Sequence, residues 1–91
     1  MRISIIGAGS WGTTLAVLLG EKGFDAKLWA RRQELANEIE SKRENLQYLP
    51  GIKIPSNVIV DDSLSNVINW TEIIITAVPS EFLRNTMREI K

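Results

Sequence analysis

The sequence predicts an α/β fold built on a parallel sheet, and three observations predict it. The apolar run Ile3-Ser4-Ile5-Ile6 goes straight into Gly7-Ala8-Gly9-Ser10-Trp11-Gly12, and Trp11, Leu15, Leu18, Leu19 and Lys22 then recur at helical spacing. Strand-like and helix-like segments alternate along the rest of the chain. The last strand candidate, Glu72 to Val78, is almost continuously apolar, as in strands buried on both faces of a parallel sheet. Together these define a partial Rossmann-type, doubly wound parallel sheet of about four strands in the order 3-2-1-4.

The first turn carries the chemistry. In a strand-turn-helix context, Gly7 permits the tight turn, Gly9 lets backbone approach a pyrophosphate, and Gly12 lets the helix pack hard against the strand. The helix behind the turn aims unpaired amides and the positive end of its dipole at the bound phosphates. A kinase-type glycine loop would be followed by a second strand instead of a helix, and a P-loop would carry Lys-Ser or Lys-Thr after its last glycine. Neither pattern is present.

The remaining elements follow in order. Gly20-Glu21-Lys22-Gly23 offers a helix stop, and Asp25 to Ala30 forms the second strand. Gln33 to Arg43 places Leu35, Ala36 and Ile39 on one helical face, with Glu34, Glu38, Glu40 and Lys42 as a solvated face. From Asn45 to Asn57, Pro50, Gly51 and Pro55 break the pattern and predict a long, shaped loop, a kind of segment that is often functional. Val58-Ile59-Val60 is the third strand, and Ser63 to Asn69 a short helix opened by Asp61-Asp62-Ser63. Glu72 to Val78 is the fourth strand, stopped by Pro79, after which Ser80 caps a final helix that turns Phe82, Leu83, Met87 and Ile90 inward. The fourth strand then leaves an apolar sheet edge open, so residues 1–91 read as the front part of a longer protein, a truncated dinucleotide-binding domain.

Bulk properties narrow the partner. In 91 residues, 11 Lys and Arg balance 11 Asp and Glu, so no global field attracts nucleic acid. Without cysteine or histidine there is no disulfide frame, no thiolate chemistry and no usual zinc ligand set. No apolar run reaches the roughly 18 to 20 residues of a membrane span, and Met1-Arg2 leads into a strand rather than a signal peptide. The expected partner is a small dinucleotide, with no metal, no membrane insertion and a cytoplasmic location. A homo-oligomer is expected through the open edge or within the full-length protein.

The second strand addresses which dinucleotide is bound. NAD-selective domains place an acid about 20 residues beyond the glycines, at the end of that strand. Here the position reads Trp29-Ala30-Arg31-Arg32, and Asp25 lies at the far end of the strand. Two guanidiniums suit a 2′-phosphate, and cations at a helix start oppose its dipole unless they serve something else. NADP(H) is therefore favoured, with NAD(H) left open.

The stretch Asn45-Leu46-Gln47-Tyr48-Leu49-Pro50-Gly51 resembles the Asn-x-x-Tyr-Leu-Pro-Gly loop of NAD(P)-dependent glycerol-3-phosphate dehydrogenases. Gly7-Ala8-Gly9-Ser10-Trp11-Gly12-Thr13, Leu28-Trp29-Ala30-Arg31 and Ala77-Val78-Pro79-Ser80 are similar to that family in the same order, so the resemblance spans nearly the whole chain. It implies the cofactor-binding portion of an enzyme that interconverts dihydroxyacetone phosphate and sn-glycerol 3-phosphate for phospholipid synthesis. By that match Gly7, Gly9, Ser10, Trp11 and Gly12 contact the pyrophosphate, Arg31 and Arg32 the adenosine phosphate, and Tyr48 the cofactor side of the cleft. Val78, Pro79 and Phe82 flank the nicotinamide end. The family's catalytic lysines and helical substrate domain would lie beyond Lys91, so no catalytic residue is expected here and these residues alone should not turn over substrate. Two other readings stay open: a two-domain NADPH-dependent reductase of the ketopantoate or 6-phosphogluconate kind, and a non-catalytic nucleotide-sensing module.

Overall fold

The computed structural model describes residues 1–77. Six strands and three helices follow in chain order: β1 (Arg2–Ile6), α1 (Ser10–Glu21), β2 (Asp25–Trp29), α2 (Gln33–Lys42), β3 (Glu44–Asn45), β4 (Leu49–Lys53), β5 (Val58–Asp61), α3 (Leu64–Trp70) and β6 (Ile73–Thr76). Val78, Pro79, Phe82 and the expected final helix lie outside the described residues. No helix among the described residues is long and apolar enough to cross a membrane.

Four strands form a parallel sheet in the order β5-β2-β1-β6. Counted among themselves along the chain, these strands run 3-2-1-4, as the alternation of strands and helices predicts. The numbering differs because the segment expected to be a loop contains a small antiparallel pair, β3 with β4. Pro50 and Gly51 rule out a helix there, but they are tolerated in a two-stranded ribbon whose outer side faces solvent.

Alternation along β1 and β2 sorts the core onto two faces. Ile5, Ala26 and Leu28 meet Ala16 and Val17 of α1 and Leu35, Ala36 and Ile39 of α2. Ile6 and Trp29 on the opposite face meet Val67 of α3. Helices on both faces make the sheet doubly wound. On the α3 side, the buried Ser4 hydroxyl donates to the Val67 carbonyl at 2.8 Å, and Trp29 Nε1–H donates to the Asp62 carbonyl at 3.0 Å. Trp70, at the end of α3, lies under the Lys27 ammonium, 5.2 Å from the ring centre.

Helix α1 buries Gly12, Thr13, Ala16, Val17 and Gly20, with Leu15 and Leu19 packed against the same core and Leu18 exposed, because a small-residue face allows close approach to the sheet. Two sequence expectations need correction. Glu40 does not belong to a purely solvated face: its carboxylate accepts the Val60 N–H at 2.6 Å and pairs with Arg43 at 3.0 Å. The Arg43 guanidinium in turn donates to the carbonyls of Pro55 and Val58 at 2.5 and 2.6 Å. This pair therefore supplies partners for backbone groups of β5, which among the described residues joins the sheet only through β2. Finally, β6 is not buried on both faces: Ile73 and Ile74 are 41% and 42% exposed. Among the described residues it is an edge strand paired with β1, while α1, α2 and α3 pack mainly over β1, β2 and β5.

The segment from Asn45 to Asn57 forms a strap tied to both ends of α1. Asn45 Nδ2 donates to the Ala8 carbonyl at 3.0 Å and to Thr13 Oγ1 at 2.9 Å. Asn57 Nδ2 donates to the Gly20 and Phe24 carbonyls, both at 2.9 Å. The latter bonds secure a helix end already closed by Gly23 N–H to Gly20 and Phe24 N–H to Leu19, a Schellman arrangement.

Candidate functional site

The parallel register brings the carboxyl ends of β1, β2 and β6 to one level, with Ile6 opposite both Trp29 and Thr76. Everything that follows these strands therefore gathers at one edge of the sheet, where doubly wound folds bind ligands.

Gly7 leaves β1 with φ of 116°, a conformation that excludes side chains, while its N–H donates to the Trp29 carbonyl at 3.2 Å. Gly9 is the N-cap of α1 in extended conformation, and the Thr13 N–H returns to its carbonyl at 3.0 Å. Close approach is enforced at Gly12. A Cβ there would lie 3.0 Å from the Gly7 carbonyl carbon, nearer still to its oxygen, and 3.4 Å from Ala77 Cβ. Turn, helix start and the end of β6 thus converge, and the Ala77 N–H extends the β1–β6 ladder by donating to the Ile6 carbonyl at 2.8 Å.

The space in front of this junction suits a dinucleotide phosphate. A Cβ on Gly9 would meet nothing within 4 Å. No side chain caps α1, and its first turn contains no acid, so the helix presents its first amides and positive dipole end outward. Ser10 and Trp11 are exposed at the rim, Trp11 by 64%. The five residues expected to form the pyrophosphate turn are therefore brought together.

Arg31 and Arg32 follow Ala30 on the same edge, both exposed. Asp25 is opposite Arg2 at the other end of the sheet and cannot serve this edge. Arg32 is the N-cap of α2, and its Nη2–H donates to Gln47 Oε1 at 2.8 Å. Tyr48, 44% exposed, sits at the close of the turn between β3 and β4, its N–H donating to Asn45 Oδ1 at 3.3 Å. Val78, Pro79 and Phe82 lie outside the described residues.

Sequence reasoning missed Asn45 and Gln47 as members of this site. Asn45 is fully buried and gives both amide N–H groups to the glycine turn and α1, while its oxygen accepts from the hairpin turn. Its one sequence signal was its place at the head of the Tyr-Leu-Pro-Gly motif. A separate, largely apolar groove of about 400 Å³ runs between α1 and β4, lined by Thr14, Val17, Leu18, Leu49, Ile52 and neighbours. Among the described residues, none of those expected to bind cofactor lines it.

Fold and edge together define a Rossmann-type nucleotide-binding domain. Residues 2–91 match the family model of the NAD-dependent glycerol-3-phosphate dehydrogenase N-terminus, and the chain belongs to that family. It is 51% identical over 87 residues to a glycerol-3-phosphate dehydrogenase (NAD(P)+) of Chlorobium phaeobacteroides strain BS1, a match covering 96% of this chain and 26% of that protein. Among solved structures, the glycerol-3-phosphate dehydrogenase of Coxiella burnetii superposes with a TM-score of 0.82 at 34% identity, over 87% of this chain and 24% of that one. The corresponding enzyme of Saccharomyces cerevisiae gives 0.90 at 29% identity, over all of this chain and 30% of its own. The chain spans about a quarter of the length of these relatives.

Proposed function

We propose that this chain is the cofactor-binding part of an NAD(P)-dependent oxidoreductase that interconverts dihydroxyacetone phosphate and sn-glycerol 3-phosphate, in the cytoplasm and in the service of glycerophospholipid synthesis. The observation that carries the reading is the open, uncapped start of α1 behind Gly7, Gly9 and Gly12, on the same sheet edge as Arg31 and Arg32. The amides of Ser10, Trp11 and Gly12 would hold the pyrophosphate, the arginine pair the adenosine 2′-phosphate, and Tyr48 one side of the cleft. Val78, Pro79 and Phe82 would flank the nicotinamide. When bound, that ring supplies or accepts the hydride exchanged with the substrate carbonyl carbon. This chain's own part is to bind, orient and charge-balance the cofactor. The general acid and the donors to the substrate phosphate come from a further, helical domain, so residues 1–91 alone bind cofactor without turnover. A homo-oligomer, formed through the edge of β6 or within the full-length protein, accompanies this reading.

NADPH is the favoured cofactor because β2 ends in two cations and carries no acid at that end. Calorimetric titration with NADPH and NADH tests this. The expected result is tighter NADPH binding that Arg31→Glu weakens roughly 10- to 100-fold, the worth of a hydrogen bond to a charged group. Unchanged NADPH affinity in Arg31→Glu would overturn the assignment, and failure of a folded chain to bind either dinucleotide would overturn cofactor binding by these residues.

A further inference from the structure

Gln47 lies on the turn between β3 and β4, two residues after Asn45. That spacing connects the two halves of the proposed cradle. Asn45 is fastened to the glycine turn through the Ala8 carbonyl and to the first turns of α1 through Thr13 Oγ1. It also holds the far side of its own turn through the Tyr48 N–H. Gln47 is thereby placed by a fully buried neighbour, although its own side chain is exposed. From that position its Oε1 accepts one N–H of Arg32 at 2.8 Å.

An exposed arginine at a helix start samples many rotamers, and any ligand it binds must bear the entropy of fixing it. A single neutral acceptor removes part of that entropy beforehand. It occupies one of the five guanidinium donors and leaves the positive charge intact. A carboxylate at the same place would hold the side chain equally well but cancel its charge toward an anion.

We infer that Gln47 is a specificity-determining positioning residue: it holds Arg32 in place toward a phosphate on the 2′ position of the adenosine ribose and so sets the preference between the two dinucleotides. Asn45 acts differently, since its bonds fall on the turn shared by both cofactors. The inference rests on the proposed role of the arginine pair and extends it to a residue that does not touch the ligand.

The test compares dissociation constants for NADPH and NADH in the unmodified protein and in Gln47→Ala, Gln47→Glu and Arg32→Ala. Gln47→Ala is expected to weaken NADPH binding about 3- to 10-fold, the range of one net hydrogen bond, and to change NADH binding less than about 2-fold. Gln47→Glu should lower the NADPH-to-NADH preference further than Gln47→Ala, because its charge neutralises Arg32 and faces the 2′-phosphate. A purely structural role would weaken both cofactors alike and leave the ratio unmoved. If Arg32→Ala abolishes the preference while both Gln47 variants keep it, the inference is overturned and the arginine reading survives. If Arg32→Ala keeps the preference, Arg32 takes no part in reading the 2′-phosphate and the role of Gln47 fails with it, while the Arg31→Glu titration decides the arginine reading independently.

Discussion

Replacing Gly12 by alanine sets two effects of opposite sign against each other. Alanine in place of glycine in a helix gains about 1 kcal/mol from backbone entropy. Against this, the new Cβ would lie 3.0 Å from the Gly7 carbonyl carbon and closer still to its oxygen. The obstacle is backbone, not the far end of a flexible side chain. Gly7 is itself held by its N–H bond to Trp29 and by φ of 116°, so the turn cannot yield and α1 must move outward from the sheet. Overpacking of this kind costs about 1–3 kcal/mol, and contact with fixed backbone puts it at the upper end. A net loss of about 2 kcal/mol corresponds to a fall in Tm of roughly 8–16 °C for a domain of this size. Thermal unfolding followed by circular dichroism reads this directly. Gly9→Ser is the control: its Cβ meets nothing within 4 Å and serine is a favoured N-cap, so Tm should hold or rise while NADPH binding weakens at least about 10-fold. A Gly12→Ala protein melting at or above the parent temperature would refute the argument.

Other variants examine the remaining joints. Arg43→Ala removes donors from the Pro55 and Val58 carbonyls and is expected to destabilise the fold by about 1–2 kcal/mol in urea titration, a figure reduced for partial exposure. Because Arg43 has φ of 54°, Arg43→Gly should be more stable than Arg43→Ala by about 1 kcal/mol in the same experiment. Ser4→Ala strands the Val67 carbonyl and should cost about 1–2 kcal/mol, with the α3 amides exchanging hydrogen faster.

What the sequence disclosed was what depends on near neighbours. The run from Ile3 to Gly12 specifies strand, turn and helix through local sterics, and the strand order follows once helices must cross over between parallel strands. The start of α3 was legible for the same reason: Ser63 caps it through the Asn66 N–H, three residues on. The hairpin was missed because Pro50 and Gly51 read as breakers, which they are for a helix but not for the outer side of a two-stranded ribbon. In α1 the helical spacing of the leucines marks the helix, but it does not separate Leu15 and Leu19, packed against the core, from the exposed Leu18. Asn45, Asn57 and Gln47 meet partners 15 to 37 residues away, and no spacing rule anticipates where a polar amide will find them. The glycine turn was therefore visible, while the residues that brace it were not.

The two asparagine ties have a mechanical consequence. Each end of α1 is fastened to an end of the strap from Asn45 to Asn57, so neither end of the helix can fray without releasing a bond to the strap. Helix and strap thereby form one closed circuit, and hydrogen exchange is expected to show the amides of α1 and of the strap with a common protection in place of a graded series.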